Sequence, residues 1–157
     1  MNLLSLPVTH RAVIPDAYLD EMGHMNVMWY THLFGQATGE VFKLCGLSRD
    51  YFLSCRAGIF ALRQFFCYHA EVLVGEEVTI RSRVLGRSAK RIHMMHFMHK
   101  DQAGKLAATA EFLSTHMDMT VRRTSPLPAE IARTIDRLVE THSRLGWEAP
   151  TSGAISA

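Results

Sequence analysis

The sequence lacks the features that mark several common protein classes. Its 157 residues include three cysteines, Cys45, Cys55 and Cys67. An odd number at scattered positions fits neither a disulfide framework nor a C-x-x-C metal site. Reduced thiols of this kind are typical of a cytoplasmic protein, which is the location we expect. The N-terminus has no basic residue before its short apolar run, which Pro7 interrupts, so it makes a poor signal peptide.

Long apolar runs and strong net charge are also missing. No segment approaches the roughly 20 apolar residues of a membrane span, so we expect no membrane partner. The formal net charge of +2 is too small to predict nucleic-acid binding from bulk electrostatics. No G-x-x-x-x-G-K-[ST], G-x-G-x-x-G or G-x-S-x-G motif occurs. These absences argue against nucleotide folds and the usual α/β serine hydrolases.

The whole chain has the composition of a globular domain, with 48% hydrophobic and 20% charged residues. The length suggests one domain that can bury a proper core. We expect this domain to span residues 1–146. The small, polar residues 147–157 are predicted to form a flexible C-terminal tail.

Helical periodicity is clearest after Asn26. Apolar residues recur at alternating steps of three and four from Val27 to Leu44, and Gly46 suits the position after a helix end. A second helix is expected from Pro128 to about Leu145.

The other patterned segments predict strands. They are residues 8–14, 59–68, 78–85, 90–99 and 106–119. Residues 59–68 are apolar on both alternating faces, which predicts a strand buried on both sides. The order of elements therefore predicts an α+β fold, with an antiparallel sheet of about five strands, a long helix on one face and a C-terminal helix. One sheet edge would stay exposed, and dimerisation would cover it.

Polar residues cluster just before the long helix, in "DEMGHMN" at positions 20–26. A structural explanation accounts for most of them. Asn26 would cap the helix, Asp20 and Glu21 would favour its positive end by up to about 1 kcal/mol, and Gly23 would form a turn. This explanation leaves His24 without a role.

A functional explanation uses the same physics. A helix N-terminus presents free N–H groups that can polarise a carbonyl and hold the oxyanion formed on attack. A nearby carboxylate can attack that carbonyl or deprotonate a water. Asp20 would then be base or nucleophile, the N–H near Val27 the oxyanion site, and Asn26 a cap or a group that positions water.

The stretch "LDEMGHMNVMWYTHLFGQAT" resembles the start of hotdog-fold acyl-CoA thioesterases of the 4-hydroxybenzoyl-CoA thioesterase type. In that family an aspartate and two variable residues precede a glycine and a His/Asn-rich turn, and the following helix carries an early tyrosine. The corresponding residues are Asp20, Gly23, His24, Asn26 and Tyr30. The resemblance extends over about residues 7–145.

The resemblance implies a long central helix wrapped by the sheet, in a homodimer joined edge to edge or a homotetramer. Active sites would lie at the dimer interface, with CoA along the surface. Asp20 would be the catalytic carboxylate and the N–H near Val27 would bind the thioester oxygen, with His24 and Asn26 beside them. Gly23 and Tyr30 would contact the substrate. No metal or redox cofactor is required, because CoA is part of the substrate.

One departure from the family pattern leaves an alternative open. Many relatives have an acidic residue where this sequence has Tyr18. Another branch of the family places its catalytic carboxylate within the helix, where Glu40 would stand in, with Gln36 one turn earlier. We prefer Asp20, because it lies next to the helix N-terminus.

The segments "GHMN", "FGQAT" and "AKRIHMMHFM" are similar to thioesterase domains of carnitine catabolism, which act on betainyl-CoA. A quaternary ammonium group would bind to aromatic faces. Trp29, Tyr30, Phe34 and Phe60 could supply these faces, or they could be ordinary core aromatics.

Basic residues cluster at the predicted turn before the strand at 90–99. Arg87, Lys90 and Arg91 could hold the phosphates of CoA, or they could be a solvated turn.

Three histidines, His93, His96 and His99, lie close together in that strand. Strand alternation points His96 away from the other two, so we expect no shared metal. We expect solvent-facing or interface histidines instead.

The sequence thus predicts an enzyme, a thioester hydrolase that converts a small acyl-CoA to free acid and CoA. One rival is a hotdog hydratase or dehydratase, for which His24 beside Asp20 would supply the histidine–carboxylate pair. A second rival is a protein that binds acyl-CoA without turnover.

Overall fold

The computed structural model describes residues 1–157 and has the predicted order of one strand, a long helix, four strands and a terminal helix. The elements are β1 (Val8–Val13), α1 (Val27–Leu44), α2 (Arg49–Ser54), β2 (Ala57–Tyr68), β3 (Glu77–Arg87), β4 (Arg91–Lys100), β5 (Lys105–Asp118), β6 (Arg123–Thr124) and α3 (Ala129–Ser143). The short helix α2 was not predicted from the sequence. Ser48 caps it by accepting the N–H of Tyr51 at 3.1 Å.

The strands form one antiparallel sheet in the order β1-β3-β4-β5-β2, with β6 added to β5. The sheet wraps around α1, whose buried stripe includes Leu33, Phe34, Ala37 and Val41. This is the hotdog architecture that the resemblance implied. No helix combines the length and apolarity needed to cross a membrane.

The prediction that residues 59–68 are buried on both sides was wrong. Strand β2 is an edge strand that pairs only with β5. Its apolar side chains remain accessible, with Leu62 46% exposed and Phe65 45% exposed. An apolar pattern shows that a strand avoids water, but it does not show whether the covering surface belongs to the same chain.

Strand β4 alternates as predicted, but His96 does not face solvent. The His96 side chain is fully buried beneath α1, and burial lowers its pKa to about 3. The single hydroxyl proton of Thr38 is donated to the Phe34 carbonyl at 2.8 Å. The Thr38 oxygen, 3.0 Å from His96 Nε2, must therefore accept the His96 N–H. The expectation failed because two neighbouring elements, α1 and β3, supply hydroxyl groups that satisfy this imidazole.

The Nδ1 atom of the His96 imidazole continues this series of hydrogen bonds toward β3 and β1. Because the proton is on Nε2, the Nδ1 atom of His96 accepts from the Ser82 hydroxyl at 2.6 Å. The Ser82 oxygen in turn lies 2.6 Å from the Thr9 hydroxyl. One continuous chain thus joins β1, β3, β4 and α1 through the core, and it fixes how the helix sits on the sheet.

The outer face of the sheet is covered by the chain termini. Trp147 packs against Phe97 with ring centroids 5.6 Å apart and lies 4.5 Å from the guanidinium of Arg83. Buried Glu111 accepts the N–H of Ser152 at 2.6 Å. The sequence predicted a flexible tail at residues 147–157. In the structure, Trp147 and Ser152 of this segment contact side chains of the sheet.

Candidate active site

The loop before α1 is closed by its own backbone. Leu19 pairs with Met25 in an isolated antiparallel bridge, and the Asp20 N–H donates to the His24 carbonyl at 2.9 Å. Gly23 lies at the tip with a φ of +83°, a conformation that favours glycine. The Met25 N–H donates to the Val72 carbonyl at 2.7 Å, which ties the loop to the segment after β2. The loop therefore holds Asp20 in a defined position.

Both carboxylate oxygens of Asp20 have a partner. Oδ1 accepts the N–H of Met22 at 2.9 Å, and Oδ2 lies 3.3 Å from Nδ1 of His24. The side chains remain accessible, with Asp20 25% and His24 39% exposed. The arrangement provides an oriented carboxylate–imidazole pair that a substrate or a water can reach.

The first turn of α1 leaves the N–H of Val27 free. The Asn26 side chain caps the helix by accepting the N–H of Met28 at 3.0 Å, and the Asn26 carbonyl accepts the N–H of Trp29 at 2.9 Å. The N–H of Val27 has no acceptor within the protein. A helix N-terminus carries about half a positive charge, so this N–H is suited to an oxyanion.

An open pocket borders this free donor. The residues that line it are His24, Met25, Val27, Tyr30, Tyr68, His69, Ala70 and Glu71. Tyr68 ends β2, and Glu71 follows three residues later. Sequence reasoning missed both, because they lie about forty residues beyond the loop and nothing in their spacing links them to it. Asp20 does not line the pocket itself and reaches it through His24.

Tyr30 and Trp29 lie on different sides of the first turn. Tyr30 is 4% exposed and turns inward to contact Tyr68, with ring centroids 5.1 Å apart. Trp29 stacks on Tyr18 with centroids 3.7 Å apart. Tyr18 also holds the loop, because its carbonyl accepts the Asn26 N–H at 2.9 Å. Phe34, the third proposed aromatic contact, is fully buried in the core.

The other predicted substrate-binding residues lie elsewhere in the protomer. Phe60 is on β2 but eight residues before Tyr68, which is about 26 Å along a strand. Arg87 ends β3, about 30 Å along that strand from its beginning near the loop. Its guanidinium is held by Asp136 through bonds of 2.7 and 2.6 Å. Lys90 and Arg91 are exposed at the same hairpin.

The alternative carboxylate in the helix is also remote from the free donor. Gln36 and Glu40 lie on the exposed face of α1. They are about 14 Å and 20 Å along the helix axis from Val27. Glu40 is paired with Lys43 at 2.6 Å. Within one protomer, the carboxylate of the helix is therefore farther from the free N–H of Val27 than the loop that carries Asp20.

The histidines of β4 have separate partners. His93 lies 2.8 Å from Glu111, whereas His96 is bound by the hydroxyls of the core. No three His, Cys, Asp or Glu side chains lie together in a way that could hold a metal ion.

The curated relatives of this chain share one kind of description. A betainyl-CoA thioesterase of Pseudomonas aeruginosa is 26% identical over 133 residues, which cover 85% of this chain and 83% of that protein. An L-carnitine dehydrogenase/betainyl-CoA thioesterase of Agrobacterium fabrum is 29% identical over 129 residues. Those residues cover 82% of this chain and 26% of the longer protein, so the chain spans about a quarter of that relative.

Structural comparison supports the fold. A protein of Staphylococcus aureus that was solved in complex with CoA superposes with a TM-score of 0.83. It is 20% identical, and the match covers 91% of this chain and 90% of that one.

The sequence resemblance to hotdog thioesterases, including those named for betainyl-CoA, is confirmed by the curated relatives and the family model. A family model for the thioesterase-like superfamily matches residues 14–135, and the chain therefore belongs to that superfamily.

Proposed function

We propose that this protein hydrolyses the thioester of a small acyl-CoA, releasing the free acid and CoA. The observation that carries the proposal is the unpartnered N–H of Val27, which borders an open pocket beside the Asp20–His24 pair. Thioester hydrolysis needs these two elements, a fixed donor for the oxyanion and a group that activates the nucleophile.

The oxyanion donor comes from the backbone. The thioester oxygen accepts the Val27 N–H, and negative charge grows on that oxygen as the carbonyl carbon is attacked. The donor is fixed by the helix, so it does not have to reorient during the reaction. Loss of one such donor typically costs about 10²- to 10³-fold in rate in other enzymes.

The nucleophile is activated by Asp20. As a general base, the carboxylate takes a proton from water while the water oxygen bonds to the carbonyl carbon. The tetrahedral intermediate then expels the CoA sulfur as the C–S bond breaks, and the thiolate receives a proton. Direct attack by Asp20 gives an anhydride that water hydrolyses to the same products. Either route runs on this chain's own groups, so we propose no metal or redox cofactor.

His24 orients the carboxylate in this proposal. The 3.3 Å contact between Asp20 and His24 also favours a second candidate, an acyl-CoA hydratase in which His24 moves the proton. Hydration requires an enoyl substrate and consumes a carbon–carbon double bond, whereas hydrolysis releases a thiol.

The acyl group we propose is betainyl, because the two curated relatives described above are named for betainyl-CoA. We also propose that the protein is a homodimer joined along β2. The outer backbone of this strand is unpaired and its apolar side chains are exposed. Lys90 and Arg91, remote from Asp20 in one protomer, would then be available to hold CoA phosphates, with Arg87 beside them.

Thiol release from a panel of CoA esters tests the proposal. The panel contains betainyl-CoA, acetyl-CoA, benzoyl-CoA and crotonyl-CoA. Release of thiol from at least one ester supports it. Loss of the enoyl absorbance of crotonyl-CoA without thiol release would favour the hydratase. Saturable binding of the esters with no change in any of them would identify a sensor and reject hydrolysis.

A further inference from the structure

The pocket at the start of α1 adjoins the atom that the thioester carbonyl would contact. A substrate whose carbonyl oxygen bonds the Val27 N–H extends its acyl group into this pocket or along its rim. We infer that Tyr68, Tyr30 and Glu71 select an acyl group that carries a quaternary ammonium. The inference rests on the proposed function for its placement of the carbonyl, and it assigns the selection of charge to particular side chains.

Two aromatic rings form a corner of the pocket. The planes of Tyr30 and Tyr68 meet at 80°, with centroids 5.1 Å apart. Tyr68 is 48% exposed, so part of its ring faces the opening. Phe66 supports this ring in a parallel arrangement, with centroids 6.4 Å apart and planes 6° apart. Such rings attract a cation by their quadrupole, and a trimethylammonium group offers methyl groups to pack against them.

The charge of the pocket is negative. Its lining contains no lysine or arginine, and Glu71 contributes a carboxylate. The nearby ammonium of Lys100 is used by other acceptors, since it binds the Glu76 carboxylate at 2.8 Å and the backbone carbonyl of Glu71 at 2.9 Å. The Glu71 carboxylate itself has no ion pair or hydrogen bond in the structure.

The phenol of Tyr30 lies near two carboxylates, those of Glu71 and Glu76. The pKa of Tyr30 is raised to about 12, mainly by burial and in smaller part by Tyr68, Glu71 and Glu76, against the Val72 backbone. The two carboxylates, which disfavour the Tyr30 phenolate, favour a cation at the same place. His24 and His69 are the other titratable groups of the lining, and His69 lies 3.4 Å from the Thr109 hydroxyl.

The lining of the pocket favours an acyl group with a quaternary ammonium over other acyl groups. It has no N–H to satisfy, so aromatic faces and a carboxylate at a distance are sufficient partners. A carboxylated acyl group would meet Glu71 with like charge, and such repulsion is an effective source of specificity. A neutral branched acyl group would fit the same space without the electrostatic gain.

A pair of substrates that differ in one atom isolates the charge. Betainyl-CoA and 3,3-dimethylbutanoyl-CoA have the same shape, with nitrogen in the first and carbon in the second. We expect kcat/KM to favour betainyl-CoA by about tenfold or more, which corresponds to cation–π and charge attraction of ordinary size. The ratio should fall about threefold or more in Glu71→Gln and in Tyr68→Leu, and Tyr68→Phe should retain it because the aromatic face remains.

Two variants control for general damage. Glu130→Gln removes an exposed carboxylate of α3, and Phe52→Leu removes a partly buried aromatic of α2 that does not line the pocket. Both should leave the ratio unchanged. Equal hydrolysis of the two esters by the wild type would overturn the inference while leaving the hydrolase intact, as would a preference that survives both Glu71→Gln and Tyr68→Leu.

Hydrolysis of neither ester, together with no thiol release from any other ester of the panel, would contradict the proposed function instead. Calorimetric binding of the same two esters then decides the inference separately. Tighter binding of betainyl-CoA that is lost in Glu71→Gln supports the pocket, and equal affinity for the two esters overturns it.

Discussion

The Nδ1 atom of His24 lies 3.3 Å from the Oδ2 atom of Asp20, four residues earlier in a loop that begins and ends at one backbone bridge. The pair can work in two ways. Asp20 can activate water directly while His24 holds it, or His24 can be the base while Asp20 orients it. The two roles predict different losses of kcat when His24 or Asp20 is substituted.

His24→Gln separates these roles. Because we propose Asp20 as the base, this variant should lose less than about tenfold in kcat, whereas removal of a general base costs about 10²- to 10⁴-fold. Steady-state thiol release at saturating substrate measures the effect. A loss as large as that of Asp20→Asn would assign the proton transfer to His24.

Asn26→Ala tests the helix cap. Loss of the 3.0 Å bond to the Met28 N–H should lower the free energy of unfolding by about 1 kcal/mol, and Asn26→Asp should retain most of it. Urea unfolding measures both variants. Ser48→Ala is the matched control, since it removes the corresponding cap of α2 far from the loop. It should cost a similar stability while sparing kcat/KM, whereas Asn26→Ala should lower both. An Asn26→Ala protein with unchanged kcat/KM would contradict the placement of the oxyanion donor.

The buried imidazole of His96 predicts how stability depends on pH. Burial lowers its pKa in the folded state to about 3, so between there and its unfolded value of about 6.5 the unfolded chain binds a proton that the folded chain does not. Stability is therefore fully present above about pH 6.5 and falls as the pH drops. Burial also lowers the pKa of His116 and His142, which adds in the same direction. Carboxylates with lowered pKa, such as Glu111, contribute only at more acidic pH.

Replacement of the His96 imidazole isolates its contribution to the pH dependence of stability. Between pH 4.5 and 6.5, His96→Gln should reduce the slope of unfolding free energy against pH by up to about 1.4 kcal/mol per unit. Denaturant unfolding at a series of pH values measures the slope. An unchanged slope would mean that His96 takes up its proton in the folded state.

The exposed edge predicts that the protein assembles along β2. Leu62→Lys places a charge on this strand, where the side chain is 46% exposed, and should shift the protein toward the monomer. Sedimentation equilibrium measures the change. Val121→Lys is a control at an apolar side chain that is 62% exposed in a turn elsewhere, and it should leave the assembly intact. A wild type that is monomeric at all concentrations would contradict the proposal.

The sequence predicts those parts of the site that depend on local order. The period of residues 27–44 and the Asn26 cap place α1 and the loop before it, because helix starts are set by neighbouring residues. The order of the strands follows from alternation and turns in the same way.

Contacts between residues far apart in the sequence could not be predicted from it. Tyr68 and Glu71 reach the pocket because β2 pairs with β5, and the chain then returns to bond Met25 through Val72. The burial of His96 likewise depends on hydroxyls of two other elements, Thr38 of α1 and Ser82 of β3. Apolar pattern alone could not show that β2 is an edge, because a buried strand and an interface strand use the same residues.

The role of Asp20 as the base is decided by kcat/KM for a hydrolysed CoA ester in Asp20→Asn, compared with that in Glu21→Gln. Glu21 is the adjacent carboxylate of the same loop, it is exposed, and it has no bond in the structure, so the two variants remove the same charge from neighbouring positions. We expect a loss of about 10²-fold or more for Asp20→Asn and less than about threefold for Glu21→Gln. Folded Asp20→Asn protein that retains wild-type hydrolysis would contradict this role of Asp20, and the same assay on Glu40→Gln would then test the carboxylate within the helix.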